Sequence, residues 1–198
     1  MVLLKEARAR SDAGLVDECR SGDVSAFDEV VRRYKDRVYN LVYRFLGNHE
    51  DALDVSQEVF VRAYQGLHSF RGGAKLYTWL YSIAANLARN RLRDAGRKGR
   101  DRGTSLEALA AHGSPGVPAA SNPGPRAAAE RQELDELLQR SLDALPDHYR
   151  EAFVLRTCEN LSYAEIADAL GCPEGTVKSR INQARKLLRE QLQALELL

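Results

Sequence analysis

Asn160-Leu-Ser-Tyr-Ala-Glu-Ile-Ala-Asp-Ala-Leu-Gly-Cys-Pro-Glu-Gly-Thr-Val-Lys-Ser-Arg180 carries the densest local instructions in the chain. Ser162 and Glu165 stand three residues apart at the head of an apolar run. At that spacing the hydroxyl and the carboxylate satisfy each other's backbone N–H groups and start a helix. Ile166, Ala167 and Leu170 give this helix its inward face. Gly171 is predicted to take the left-handed conformation that ends it. Pro173 fits the first turn of a second helix, where its missing N–H costs little. Glu174 favours that helix's positive end. A short helix, a sharp turn and a second helix form the unit that sets its second helix into the DNA major groove.

The second helix sorts by face. Val177, Ile181, Ala184 and Leu188 share the inward stripe, and Lys178, Asn182, Arg185 and Arg189 follow one residue on, with Ser179, Gln183 and Lys186 beside them. The outward face is polar, basic and free of carboxylates that would repel phosphates. Asn and Gln can read adenine through paired hydrogen bonds and Lys can read guanine. Thr176, Arg180, Arg185 and Lys186 are placed to hold the backbone. A solvated basic helix on a bundle is the plain alternative. The capping box, the turn glycine and the carboxylate-free face together argue against it.

Working outward, helical periodicity continues and no alternating strand pattern is found. Leu134, Leu137, Leu138, Leu142 and Leu145 form an apolar face on a helix from about 131, and Pro146 begins another that offers Tyr149, Ala152, Phe153 and Leu155 to a core. Nearer the start, a short helix is expected over Asp12 to Arg20. A long one capped by Ser25 follows, with Phe27, Val30, Val31, Tyr34, Val38, Leu41, Val42 and Phe45 in one stripe ending at Gly47. A third helix, 50–66, buries Ala52, Val55, Val59, Ala63 and Leu67, with Glu50, Asp51, Asp54 and Glu58 on its other side. Adjacent glycines mark 69–75 as a loop. A fourth helix, 76–93, turns Trp79, Leu80, Ile83 and Leu87 inward. Residues 95–130 hold Pro115, Pro118, Pro123 and Pro125 and no sustained apolar stripe, so they read as a flexible linker with at most a helical turn at Leu106 to Leu109. The expected fold is all-α, two small helical domains, 1–94 and 131–198, joined by the linker 95–130.

Net charge is only +1, but its distribution is uneven. Residues 89–102 hold seven bases and two acids, whereas 135–174 hold nine acids and three bases. Such blocks imply anion-facing surfaces in an otherwise balanced chain. Cys19, Cys158 and Cys172 are odd in number and widely spaced, which excludes a disulfide framework and fits a reducing setting. The apolar run Met1-Val-Leu-Leu-Lys5 is too short for a signal peptide, and no later stretch would span a bilayer, so a cytoplasmic location without membrane insertion is expected. His49, His68, His112 and His148 make no metal-ligand spacing, and no nucleophile motif or phosphate loop occurs. Neither catalysis nor a metal or cofactor is expected.

Leu145-Pro-Asp-His-Tyr-Arg-Glu-Ala-Phe153, Leu161-Ser-Tyr-Ala-Glu-Ile-Ala167 and Gly175-Thr-Val-Lys-Ser-Arg180 resemble region 4 of bacterial RNA polymerase sigma factors. Asp51-Ala-Leu-Asp-Val-Ser-Gln-Glu-Val-Phe60 and Thr78-Trp-Leu-Tyr-Ser-Ile-Ala-Ala-Asn86 resemble region 2. Two such blocks with only a linker between them resemble the extracytoplasmic-function (group IV) type in the sigma-70 superfamily. The resemblance implies a factor that binds core RNA polymerase, directs it to specific promoters and promotes DNA melting for transcription initiation. It places Asp54, Gln57, Glu58 and Phe60 on the clamp helices of the largest subunit, and the C-terminal domain on the flap of the second-largest. It assigns Phe70, Arg71, Gly72, Gly73 and Lys75 to capture of a flipped minus-10 base, with Asn86, Arg89, Asn90 and Arg93 on strand and phosphates. Region 4 would read the minus-35 duplex through Lys178, Ser179, Asn182 and Gln183. The family often uses an anti-sigma factor, and its linker threads the active-site and RNA-exit channels of the polymerase. Many members carry an aromatic residue where Leu76 stands and a basic one where Ser82 stands, and Asn182 and Gln183 often give way to an aromatic or Arg. The bases recognised are therefore left open. The competing class, a stand-alone repressor or activator with the same helix-turn-helix, would read two half-sites as a dimer and leaves the acidic 50–58 face without a task.

Overall fold

The computed structural model describes residues 11–70, 72, 75–102 and 125–194. Over these it is built of helices, with no strand among the described residues. Helix α1 (Asp12–Arg20) starts at Ser11, whose hydroxyl accepts the Gly14 N–H. Helix α2 (Val24–Leu46) buries Ala26, Phe27, Val30, Tyr34, Val38, Leu41, Val42 and Phe45, the predicted stripe apart from a half-exposed Val31. Its cap is Asp23, which accepts the backbone and hydroxyl hydrogens of Ser25. The expected cap at Ser25 thus lies two residues too late, because the Asp23 carboxylate is the stronger acceptor. Gly47, at φ 67°, ends α2, and Asn48 caps α3 (His49–Gly66) through the Asp51 N–H. A 3₁₀ turn, Leu67–Ser69, leads to the loop before α4 (Leu76–Arg102). Helices α2, α3 and α4 pack on one another, and α1 lies against α2.

The second half holds α5 (Pro125–Asp143), α6 (Asp147–Thr157), α7 (Tyr163–Leu170) and α8 (Glu174–Ala194). Helix α6 packs on α8, and it also meets α2, while α7 lies along α4. The two halves therefore touch extensively. At the junction sits the buried guanidinium of Arg150. It donates to the Phe45 carbonyl at 2.6 Å, Leu142 at 2.8 Å, Asp143 at 3.0 Å and Leu145 at 3.1 Å. Arg44, also buried, pairs with Asp135 and donates to Gln139 Oε1 at 3.2 Å.

Three expectations change. Helix α4 runs nine residues past Arg93 and α5 begins six before 131, so both edges of the expected linker lie within helices. Alanine and long basic side chains around Gly96 and Gly99 favour helix enough to outweigh the two glycines. The helical turn at Leu106 to Leu109 and the core of the 95–130 segment lie outside the described residues. On α5 Leu142 is buried, as is Leu145 in the turn after it, but Leu134 is 66% and Leu138 37% exposed, because only the C-terminal end of α5 reaches the core. On α4 the fully enclosed residues are Leu80, Tyr81, Ala84, Ala85 and Ala88, whereas Trp79, Ile83 and Leu87 are half-buried. The cause is packing on two sides of α4, by α2 and α3 and also by α7.

Replacing Arg150 by Met removes the donor that serves the Phe45, Asp143 and Leu145 carbonyls, while Leu142 keeps the Leu145 N–H. Each buried orphan costs on the order of 1–3 kcal/mol, so chemical denaturation should show a loss of about 3 kcal/mol or more. An unchanged midpoint would remove Arg150 from its junction role.

Candidate nucleic-acid and partner interfaces

The helix-turn-helix forms as its residues require. The Ser162 hydroxyl accepts the Glu165 N–H at 3.2 Å, and the Glu165 carboxylate accepts the Ser162 N–H at 2.9 Å. Gly171 adopts φ 63° at the end of α7. The Pro173 carbonyl then accepts the N–H groups of Thr176 and Val177, opening α8. Val177, Ile181, Ala184 and Leu188 are buried as predicted. Lys178, Ser179, Asn182, Arg185, Lys186 and Arg189 are exposed together on the opposite side, while Thr176 and Gln183 are half-buried at its margins. The Ser179 hydroxyl donates to the Thr176 carbonyl at 2.9 Å, leaving only its acceptor side for a ligand. Arg180 turns back to Cys172 Sγ at 3.8 Å, away from the outward face. Lys186 lies 3.9 Å from Glu190 one turn on.

On α3 the proposed docking residues form a polar rim around an apolar groove. Val31, Tyr39, Leu53, Ser56, Gln57 and Phe60 line this groove of about 370 Å³ between α2 and α3. Leu53 is 42% exposed. Asp54 and Gln57 face solvent and Glu58 pairs with Arg62 at 2.7 Å. Arg91 of α4 pairs with Asp51 and comes within 3.7 Å of Asp54. The acidic stripe is thus partly compensated from its own bundle.

Phe70, Gly72 and Lys75 meet at a second hollow, about 410 Å³, walled on the other side by Asp12, Val16, Asp17 and Arg20 of α1. Phe70 is 8% exposed and packs on Trp79 with ring centres 5.0 Å apart and planes tilted by 38°. Gly72 holds φ 70°. Arg71 and Gly73 lie outside the described residues. The volume admits a nucleobase, and the aromatic floor offers a stacking surface.

Asn86, Arg89, Asn90 and Arg93 do fall on one face of α4, where Asn86, Asn90 and Arg93 are exposed and Arg89 is half-buried. That face borders a third hollow, about 470 Å³, together with Asp147, His148 and Glu151 of α6. Arg89 Nε donates to both Glu151 oxygens at 2.9 and 3.0 Å. Burial pushes the Glu151 carboxyl up, against the pull of Arg89. Further along α4 the Tyr77 hydroxyl donates to Glu165 at 2.9 Å, with Lys75 3.1 Å from the same oxygen. The Tyr81 hydroxyl donates to Glu159, which also takes Arg37 at 2.9 Å. The Arg37 guanidinium stands 5.8 Å from both tyrosine ring centres. Tyr77, Tyr81 and Arg37 were not singled out from the sequence. The four-residue step between the tyrosines was the available clue.

The chain matches the family model for sigma-70 region 2 over residues 30–98 and that for sigma-70 region 4 over residues 135–188. It is 39% identical over 185 residues to the RNA polymerase sigma-H factor of Pseudomonas aeruginosa, covering 93% of this chain and 95% of that one. Identity is also 39% over 188 residues to the ECF RNA polymerase sigma factor SigW of Bacillus subtilis, 91% and 96% covered, and to the ECF RNA polymerase sigma-E factor of Escherichia coli, 93% and 96% covered. Among solved structures, the sigma factor RpoE bound to the anti-sigma factor NepR from Bartonella quintana aligns with a TM-score of 0.67 at 26% identity, over 86% of this chain and 98% of that one. CnrH in complex with the cytosolic domain of CnrY aligns with a TM-score of 0.65 at 25% identity, over 91% and 96%. No described helix is long and apolar enough to cross a membrane.

The Glu165 carboxyl is held down to about 2, first by the Ser162 backbone N–H and then by Lys75, the Ser162 hydroxyl and Tyr77. A carboxylate that binds its proton less readily folded than unfolded stabilises the fold above its ordinary range and loses that contribution in acid. Stability of the native chain should therefore fall between about pH 4.5 and 2 more steeply than that of Glu165→Gln, as read by thermal melts across that window. Equal slopes would refute the assignment. Ser162→Ala should cost about 1 kcal/mol at pH 7.

Proposed function

The chain belongs to the sigma-70 family of RNA polymerase sigma factors, in its extracytoplasmic-function branch, and on that premise we propose how its two halves divide the work. It is a non-enzymatic sigma factor that directs core RNA polymerase to promoters. The carrying observation is α8, whose basic outward face, free of carboxylates from Lys178 to Arg189, stands exposed beyond a fully formed capping box and turn. Lys178, Ser179, Asn182 and Gln183 read the minus-35 duplex, and Arg185 and Lys186 hold its phosphates. Residues 1–94 form the minus-10 half, 131–198 the minus-35 half, and the linker between passes through the polymerase channels.

Docking on core polymerase uses the α2–α3 groove. Leu53 and Phe60 supply apolar contact, and Asp54, Gln57 and Glu58 the polar rim for basic residues of the clamp helices. The C-terminal half meets the flap of the second-largest subunit. On DNA, a flipped base enters the hollow over Phe70, while Asn86, Arg89, Asn90 and Arg93 hold the strand. Such binding favours the melted form because unstacked bases bind only when exposed, so opening follows from differential affinity rather than nucleotide hydrolysis. Core polymerase fixes the two halves at one spacing and makes their weak separate contacts a multivalent one. Two solved relatives are complexes with an anti-sigma factor or a cytosolic regulatory domain, which supports an inhibitory protein partner here too. Polymerase and promoter DNA as partners support a cytoplasmic location.

Three measurements test this. Sigma-free core polymerase mixed with the protein and a genomic fragment library should give discrete transcript starts. Tight binding by the protein alone to palindromic sites without initiation would establish a stand-alone regulator instead. The pair Asp54→Lys and Glu58→Lys, both at exposed carboxylates, should weaken core affinity by more than about tenfold with helix content unchanged. Asn182→Ala should relax the preference at one base pair by about 1–3 kcal/mol, whereas Lys186→Ala should weaken all sequences alike and flatten the salt slope by about one.

A further inference from the structure

Helix α1 precedes the residues matched by the region 2 model, which begin at 30. It is fastened at both ends. The Asp12 carboxylate accepts a hydrogen of Arg33 Nη1 at 2.6 Å and the Tyr34 hydroxyl at 2.5 Å. Arg20 Nε donates to the Leu67 carbonyl at 3.4 Å, and Leu15 and Val16 between these ends are buried. So held, α1 walls the hollow of about 410 Å³ over Phe70. Five polar side chains among the described residues line that hollow: Asp12, Asp17, Arg20, Lys75 and Tyr77. Asp12 is engaged by α2, and Lys75 and Tyr77 are engaged by Glu165. Asp17 and Arg20 are left to each other, with Oδ1 and Nη1 3.7 Å apart and the Asp17 side chain 77% exposed. An exposed pair at that separation contributes little to stability. A ligand that takes both groups therefore displaces almost nothing. The charges also restrict what that ligand is. A carboxylate on the wall repels a phosphate, whereas a neutral base offers a donor and an acceptor along one edge.

We propose that Asp17 and Arg20 of α1 read the Watson–Crick edge of the base held over Phe70, its exocyclic amine donating to the Asp17 carboxylate and its neighbouring ring nitrogen accepting from Arg20. The inference rests on capture of a flipped base at this hollow and adds the residues that choose the base. Cytosine and adenine each carry an amine beside a bare ring nitrogen, so either satisfies both groups. Thymine has no amine to give Asp17. In guanine the ring nitrogen beside the amine on that edge bears a hydrogen, which sets donor against donor at Arg20. A site built to hydrogen-bond one edge rejects another because its own polar groups are left unpaired. Arg20 keeps Nη1 and Nη2 for this contact, since only Nε serves Leu67. The Asp12 and Arg20 contacts fix α1 before any ligand arrives, so the reading groups are already in place over the aromatic floor.

The test uses the full chain with core polymerase and a promoter recovered from the genomic library. The flipped position is found first, by placing an abasic sugar in turn at each minus-10 position of the non-template strand. One position should weaken binding most; if none does, base capture itself fails and this proposal with it. That promoter is then transcribed with its minus-10 positions randomised, and the transcripts are sequenced. At the flipped position the native chain should accept cytosine or adenine, and confinement to thymine or guanine would overturn the proposal. Asp17→Asn, which donates as well as accepts, should lower that preference about tenfold or more and admit the other bases there, with the remaining positions unchanged. Arg20→Met should relax the same position without altering the salt dependence of promoter binding. A salt slope flattened by about one, with the preference intact, would make Arg20 a phosphate contact and overturn the proposal. A loss spread evenly over all positions would do the same, since it marks α1 as a support alone. Thermal melts report whether the variants stay folded; if Arg20→Met does not, Asp17→Asn decides, because its side chain is exposed. One sensitive abasic position with the native preference kept in both variants leaves base capture standing and removes the reading by α1.

Discussion

The guanidinium of Arg150 gathers the ends of two helices onto one cation. The last turn of α2 contributes the Phe45 carbonyl, the last turn of α5 those of Leu142 and Asp143, and the following turn that of Leu145. Helix C-termini carry partial negative charge and unpaired carbonyls, so a buried cation between two of them answers both needs at once. The consequence is geometric. With α2 and α5 tied to the first turn of α6, the rest of α6 and the α7 that follows have one place to lie, along α4. Gly47 belongs to the same junction. A Cβ there would stand 2.7 Å from the Asp143 carboxylate, so close approach as well as its left-handed backbone demands glycine.

What the sequence disclosed was local. The capping box at Ser162 and Glu165, the left-handed glycines at 47 and 171 and the stripe from Val177 to Leu188 act over a few residues, and each forms as its spacing implies. The exposed polar faces of α3 and α8 were legible for the same reason. The inward face of α4 was not. Periodicity places Trp79 and Ile83 towards a single core, but packing from a second side encloses Tyr81 and Ala85 instead. Leu134 and Leu138 misled in the opposite sense, since an apolar stripe records which side of α5 is oily and not how much of it finds a neighbour. The glutamate contacts join residues 62 to 88 positions apart, and no local pattern encodes such pairs.

The two faces proposed for nucleic acid therefore differ in kind. The face on α8 is complete within one helix and its supporting turn, and its readiness depends only on local structure. That on α4 combines donors from α2, α4 and the loop at Lys75, and the same donors already serve carboxylates. Glu165 shows the economy of the arrangement, because one carboxylate both caps α7 and bonds Tyr77. A helix start in one half is thereby coupled to an aromatic side chain in the other.

The order of synthesis gives these contacts a time axis. Arg89 leaves the ribosome 62 residues before Glu151, and Arg37 precedes Glu159 by 122. At roughly 5–20 residues per second, Arg89 waits about 3–12 s for its carboxylate. During that interval α1 to α4 already hold their own buried set, from Leu15 to Ala88. The nascent N-terminal half is thus a helical bundle whose α4 still lacks the neighbours that α6 and α7 later supply. The later glutamates arrive as late partners for donors that the first half has already set in place.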